Sequence, residues 1–463
     1  MPVVPVIDRA LRRYIAVTLA VIGFVGAPPF ASAQSLPRVE GPLTMEQAVE
    51  LAREKSLRVK ASDADSRTMD SMRREALAPF WPQASANGYF NDQRMAPNVY
   101  TSAGNTMARN YQVFDADQTR NGNMTLMYSV FAGGRDYYGY KAAAARADAA
   151  GHMLKGTELD VAMQARLDYI AVLRESENAR VTGELLRDVE ERLRISRGMF
   201  EAGRAPRYYL LRDEAELANV VQMDAMAHSR VEMALVALKT TLGIDLASPI
   251  TPADTLQFTR VALSIDEGIR QASDTHPDLK AAVKQREAGA AEVRAAYGNY
   301  FPQVSVGYMY DWAWTKSRSW MSQEEGLRST GNNIEGYSVG VVVTLPIFDG
   351  FARENAVTTA KAKLDKAVQA EGLVRQQIAK EVNQAVLMLT AAEKSVEASR
   401  KGMEQSEEEF RIVKERFGAG RGIQLEILDA QVSLTRARFN AVAALADYNS
   451  ALAMWLKATG RVR

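Results

Sequence analysis

One succession of signals runs through this chain twice. Leu43-Thr44-Met45-Glu46-Gln47-Ala48 corresponds to Leu263-Ser264-Ile265-Asp266-Glu267-Gly268, and Val59-Lys60-Ala61 to Leu279-Lys280-Ala281. In the same register Trp81-Pro82-Gln83 matches Phe301-Pro302-Gln303. At a slightly different offset, Phe200-Glu201-Ala202-Gly203-Arg204 matches Phe417-Gly418-Ala419-Gly420-Arg421. Each half reads as a helix, Pro-Gln punctuation, a strand-rich insert, a long helix, a glycine turn and a final helix. A unit of about 200 residues is too long for a solenoid repeat, and two copies point to pseudo-symmetry within a larger ring. The expected organisation is 34–248 as the first repeat and 249–463 as the second, with β-hairpins near 83–130 and 303–345.

The opening residues read as an export leader. Arg9, Arg12 and Arg13 make a basic segment, Tyr14 to Val25 a short apolar run, and Ala31-Ser32-Ala33 a small-x-small cleavage pattern, so 1–33 is expected to be a signal peptide. The apolar run is well short of the ~20 residues that span a bilayer as a helix, and no later stretch reaches that length. Membrane insertion must therefore use β-strands. Basic and acidic residues number 57 and 56, a net charge of +1, which predicts no nucleic-acid partner. The absence of cysteine excludes disulfides, thiolate metal sites, a cysteine nucleophile and a lipid anchor on an N-terminal cysteine. His152, His228 and His276 lie far apart, and no nucleophile–base pair or phosphate loop stands out, so neither catalysis, a metal site nor a cofactor is expected.

The inserts carry a β-period. Val304, Val306, Tyr308, Tyr310, Trp312 and Trp314 alternate with mostly small or polar residues, Met309 excepted. Tyr337, Val339, Val341, Val343 and Leu345 alternate likewise, Val342 excepted. The first half is weaker: Ala84, Ala86, Gly88 and Phe90, then Met124, Leu126, Tyr128 and Val130 on the return strand. Strands of roughly ten residues suit a tilted transmembrane β-strand, joined by polar loops near 92–120 and 315–335. Trp312 and Trp314 are candidate membrane-interface aromatics. Soluble hairpins with one buried face would alternate in the same way. Four strands cannot close a barrel, and open edges in lipid have nothing to pair with. Two copies would supply eight strands and three would supply twelve; the pattern alone does not choose.

The remainder is helical and long. From Arg353 to Phe417 there is no proline, which at ~1.5 Å per residue predicts a helix on the order of 100 Å. Its first-half equivalent runs from about Arg135 to Glu201. Flanking helices at about Thr44–Ala78 and Pro206–Leu242 are near half that length, so two could lie end to end beside one long helix. Ile378, Val382, Ala385, Leu389, Ala392, Val396, Ser399, Met403, Ser406, Phe410, Val413 and Phe417 follow coiled-coil spacing. The last helix carries two seams, one from Leu425 through Leu428 and Val432, the other from Leu434 through Tyr448 to Trp455. Two seams suit a closed ring of helices or an ordinary bundle. The 19 scattered methionines read as seam filler.

Leu43-Thr44-x-x-Gln47-Ala48, Trp81-Pro82-Gln83, Phe301-Pro302-Gln303, Leu345-Pro346-Ile347-Phe348-Asp349-Gly350 and Arg416-Phe417-Gly418-Ala419-Gly420-Arg421 followed by Ile427-Leu428-Asp429-Ala430 occur in order across the chain. In these motifs it resembles TolC-type outer-membrane efflux proteins. The resemblance implies a mainly α protein with membrane β structure: a homotrimer with a shared twelve-stranded transmembrane β-barrel, continued by a trimeric α-barrel of long coiled-coil helices. It also implies contact with outer-membrane lipid, a periplasmic adaptor (membrane fusion) protein, and an inner-membrane pump or ABC transporter. By that likeness Gly203, Arg204, Gly420 and Arg421 make adaptor-docking tip turns, where glycine suits a helix C-terminus. Glu426 and Asp429, three apart on one helix face, fall where the family has paired acidic residues at its periplasmic constriction. The bland reading is acidic charge near a helix N-terminus. The family's tip latch of a tyrosine and an arginine is not reproduced: Phe417 and Gly422 stand there, with Arg421 as a substitute beside Phe417. The implied function is a passive exit duct for a tripartite efflux pump or type I secretion system. The competing expectation is a soluble periplasmic or surface coiled-coil scaffold.

Overall fold

The computed structural model describes residues 36–93, 114–261, 263–320, 327–419 and 421–461. The expected leader and Gly420 lie outside the described residues. Strand β1 (Gly41–Leu43) is followed by α1 (Met45–Lys55), α2 (Leu57–Glu75), a short 3-10 turn (Ala78–Phe80), β2 (Gln83–Gln93), β3 (Phe114–Ala132), α3 (Arg135–Glu201) and α4 (Arg207–Leu242). The second series is β4 (Ile250–Pro252), α5 (Ile265–Thr275), α6 (Pro277–Gly298), β5 (Gln303–Trp320), β6 (Leu327–Thr344), α7 (Ala352–Gly418) and α8 (Gln424–Ala458). Thr44 opens α1 with a reciprocal cap: its hydroxyl accepts the Gln47 N–H, and the Gln47 side chain accepts the Thr44 N–H.

The two long helices, α3 and α7, each have 67 residues, about 100 Å. Near the strands α3 lies beside α2 and α6, with ion pairs Arg58–Asp160 and Arg146–Glu292. Towards its other end it lies beside α4 and α8, through Arg192–Asp213 and Arg438–Glu184. Helix α7 borders α6 and then α8. Two short helices thus follow one another along each long one, α2 with α4 and α6 with α8. The expected single helix over 44–78 is instead two, broken at Ser56, whose backbone leaves the helical region at ψ 130°. Gly243, closing α4 in the left-handed conformation at φ 69°, is nested there: a Cβ would lie 2.8 Å from the Lys55 carbonyl. Gly460 does the same after α8, where a Cβ would lie 3.0 Å from Thr275 Oγ1 and 3.2 Å from His276 Cα. The α5–α6 break precedes Pro277, which disfavours helical backbone at His276.

A small equatorial cluster binds these joints. β1 pairs in parallel with β4. The buried Tyr169 hydroxyl lies 2.7 Å from the Leu43 carbonyl and 3.0 Å from Asp254 Oδ2, and accepts the Ala253 N–H at 3.2 Å. Burial pushes its pKa up to about 12.

His276 is 2% exposed. Its Nδ1 accepts the Asp278 N–H, capping α6, while Nε2 has no partner. Asp278 on α6, Glu381 on α7, Lys457 on α8 and Asp160 on α3 face it. Desolvation holds its pKa below the ordinary histidine value, Lys457 adding to this and the three carboxylates opposing it. The unfolded chain then binds the proton more readily. Stability is full above about pH 6.5, falls as pH drops towards the depressed folded value, and levels off below it. His276→Asn keeps a capping oxygen without a charge, so its thermal midpoint should decline less between pH 7.5 and 5 than that of the parent. Equal declines would remove His276 from the acid response.

Sheet order is β2-β3-β5-β6, all antiparallel, with β2 and β6 as edges. β3, β5 and β6 have 19, 18 and 18 residues, nearly twice the expected length, because pairing continues through segments expected to be loop. The register shifts between Ser129 and Phe131, so Phe131 rather than Val130 pairs with Val304.

Candidate functional site

Pairing sorts the sheet into two chemically distinct faces. One carries the rows Phe131–Val304–Val343, Tyr128–Val306–Val341, Leu126–Tyr308–Val339 and Met124–Tyr310–Tyr337. The next row is Gly122–Trp312–Glu335, with the Trp312 ring lying across Gly122. Beyond it come Phe90, Arg120, Trp314 and Asn333. The Arg120 guanidinium sits 5.0 Å from the Trp314 ring and 5.5 Å from the Phe90 ring. From Val304 to Trp312 the apolar band measures about 26 Å along the strand, of the order of the membrane band of outer-membrane barrels. Trp312 and Trp314 stand at its upper rim, where polar side chains begin. The opposite face carries Ser85, Asn87, Asn123, Thr125, Ser305, Asp311 and Ser338, and Asn87 Nδ2 donates to Asn123 Oδ1 at 2.8 Å. Among the described residues, no helix is long and apolar enough to cross a membrane.

At the far end of the long helices are two turns. Arg204 N–H donates to the Met199 carbonyl at 2.8 Å with Gly203 at φ 68°, and Arg421 N–H donates to the Arg416 carbonyl at 2.9 Å. Both are six-to-one bonds that close a helix C-terminus. Gly203, Arg204 and Arg421 are exposed. Phe417 is not: at 3% exposure it packs with Phe410, Ile427, Ala430 and Leu434 in the core of the α7–α8 hairpin. Glu426 and Asp429 share a face in the first turns of α8. Glu426 Oε2 lies 3.9 Å from Arg416 Nη2, while Asp429 is exposed. The expected seam through Leu425 and Val432 is exposed at this end; Ile427, Ala430 and Leu434 form the buried one.

A polar seam joins the α3–α4 hairpin to the α7–α8 hairpin. Glu184 pairs with Arg438 and Asp188 with Lys414, each at 2.9 Å, and Gln424 Nε2 donates to the Tyr209 carbonyl at 3.1 Å. At its centre Arg192 is buried. It donates through Nε to Asp213 Oδ1 at 2.9 Å and through Nη1 to Gln431 Oε1, while Ser196 Oγ donates to Asp213 Oδ2 at 2.5 Å. This cluster was missed by sequence reasoning, although Gln424, Gln431 and Arg438 at seven-residue spacing mark a polar heptad position.

Residues 268–461 match the family model described as outer membrane efflux protein. Over 420 residues the chain is 23% identical to outer membrane efflux protein BepC of Brucella suis, covering 90% of this chain and 86% of that one. Identity to outer membrane protein OprJ of Pseudomonas aeruginosa is 30% over 205 residues, 44% of this chain and 40% of that one. The fold is shared with the CmeC outer membrane channel of Campylobacter jejuni, at TM-score 0.75 and 16% identity over 94% and 90% of the two chains. It is shared also with outer membrane protein VceC of Vibrio cholerae, at TM-score 0.71 and 17% identity over 90% and 96%. A sheet with one lipid-suited face, carried on helices of about 100 Å, agrees with what these matches have in common. Over its second half the chain thus matches the outer membrane efflux protein family, and as a whole it resembles outer membrane efflux proteins in sequence and shares the fold of outer membrane channels.

Proposed function

We propose that three copies assemble into one exit duct, each lending four strands to a twelve-stranded β-barrel and four helices in cross-section to the α-barrel beneath it. The observation that carries this is the sheet itself: a two-faced, four-stranded sheet whose edges, β2 and β6, are both open. In lipid those edges must pair, and β6 of one copy is antiparallel to β2 of the next. Eight strands would leave a lumen filled by side chains, whereas twelve leave a water-filled path behind the Asn- and Ser-rich face. The helical layer is open in the same sense, with α2 and α4 at one side and α7 at the other. On this reading the repeats are 34–248 and 249–463, an internal duplication within the ring.

The duct is passive. An inner-membrane pump supplies the energy, and an adaptor docks at the tip turns around Gly203, Arg204, Gly420 and Arg421. The relatives' names favour efflux over type I secretion, two of them being described as efflux pump outer membrane proteins of Pseudomonas putida. The tip opens by parting the two hairpins along their polar seam, since the contacts Arg192–Gln431, Lys414–Asp188 and Arg438–Glu184 across it are hydrogen-bonded and ionic.

Glu426 and Asp429 then form carboxylate rings at the constriction and favour cations. Because Arg416 partly neutralises Glu426, Asp429→Asn should reduce the cation-to-anion permeability ratio several-fold and Glu426→Gln less, measured as reversal potentials of single channels in planar bilayers under a salt gradient. Unchanged reversal potentials in both variants would remove these residues from the constriction. Failure of the purified protein to open any channel would remove the duct reading as a whole.

A further inference from the structure

The two strand-to-helix junctions share one unusual backbone. After β3, Gly133 and Gly134 are both left-handed, at φ 63° and 83°, and α3 begins at the next residue. After β6, Gly350 and Phe351 are left-handed at φ 67° and 66°, and α7 begins at the next. Phe351 is the only residue besides glycine with positive φ among the described residues. The first junction is filled: a Cβ on Gly133 would run into the Gly298 carbonyl oxygen and lie 2.8 Å from Phe301 Cβ. So the residues that lead into β5 cap the exit of its neighbour β3. The second junction is empty: nothing lies within 4 Å of a Cβ on Gly350.

What leads into a strand beside β6 would fill it, and β6 is the open edge of the sheet. The segment equivalent to Gly298–Phe301 is Ala78–Trp81, leading into β2, the other open edge. β2 begins at Gln83 and β6 ends at Thr344, so pairing the two edges between copies sets Trp81 level with the β6–α7 connector. Both sides are apolar and uncovered: Trp81 is 70% exposed, Ile347 90% and Phe348 75%. The connector is already braced. Arg353 donates to the Pro346 and Ile347 carbonyls at 2.8 and 3.1 Å and pairs with Asp349 at 2.8 Å, while Phe348 and Phe351 meet edge to face at 5.6 Å.

We infer that the Ile347–Phe351 connector of one copy is the seat for Ala78–Trp81 of the next copy, with Trp81 over Gly350 as Phe301 lies over Gly133. Ala78 in place of Gly298 keeps the two backbones further apart, and the longer connector fills that gap with Ile347 and Phe348. The held left-handed Phe351 positions Phe348 for the contact. This contact rests on the assembly proposed above; it names the side chains that close the seam at the base of the barrel.

The natural absence of cysteine makes the test clean. The full-length protein carrying Trp81→Cys and Phe348→Cys, purified from outer membranes, is oxidised and run on denaturing gels. The expected result is a reducible ladder of covalent dimers and trimers, absent from either single variant. An intact oligomer by native mass that gives no ladder overturns the seat while leaving the duct standing. A single-subunit mass overturns both. Should the double variant fail to assemble, a photoreactive benzophenone residue at position 81 replaces it. Adducts mapping to 345–351 of another subunit support the seat, and adducts to lipid overturn it.

Discussion

Asp213→Ala is expected to loosen the far ends of α3, α4 and α8 together while leaving the strands untouched. The substitution removes the carboxylate that faces a buried guanidinium, Arg192 being 3% exposed. Uncompensated burial of one charge costs about 3–5 kcal/mol, far more than the pair contributes net. Amide exchange in those helix ends should therefore speed by about two to four orders of magnitude in the intact detergent-solubilised protein. Replacing the pair, Arg192→Met with Asp213→Leu, should restore most of the protection, because shape is kept and no charge is stranded. The Arg192–Gln431 bond is the cluster's link to α8, so the double variant should also weaken the hold between hairpins and raise the fraction of time single channels spend open. Slow exchange in Asp213→Ala, indistinguishable from the parent, would show that the cluster holds nothing.

The parts of this fold that could be read from the chain are those set by neighbours in sequence. The long helices were expected at about 135–201 and 353–417 and occur at Arg135–Glu201 and Ala352–Gly418, because heptad spacing without proline is a property of one element alone. Eight of the twelve residues in the α7 seam are buried and the other four are half-buried. What could not be read depends on partners far along the chain. Ser56 breaks a helix because Gly243 packs against it. The strands run on past Trp314 because β3 and β6 go on pairing with β5 on its two sides, Arg120 and Asn333 flanking Trp314, and not by any alternation of their own. Phe417 shows the same conflict within one residue: its seam position and its place in the resemblance pointed to different roles, and the structure puts it in the hairpin core. Arg192, Asp213 and Gln431 belong to three elements, so no local pattern joins them.

On the assembly proposed above, the two left-handed junctions separate folding of a subunit from closure of the ring. Gly133→Ala should be severe in every subunit. A side chain at φ 63° costs about 1–2 kcal/mol, and its Cβ is driven into the Gly298 carbonyl, where relief requires backbone movement and typically adds another ~1–3 kcal/mol. The damage falls between β3 and β5, the middle of the sheet, so folded protein recovered in the outer membrane should drop sharply and its melting midpoint fall. Gly350→Ala meets the same conformational penalty but no neighbour within 4 Å in its own subunit. Its strands should still form, with circular dichroism close to the parent, yet the Cβ would occupy the space into which Trp81 of the next copy fits, and the oligomer should dissociate at lower detergent or temperature. Equal losses of sheet content in the two variants would mean that Gly350, like Gly133, serves only its own chain. Loss of oligomer with sheet retained in Gly350→Ala alone would place the contact between copies.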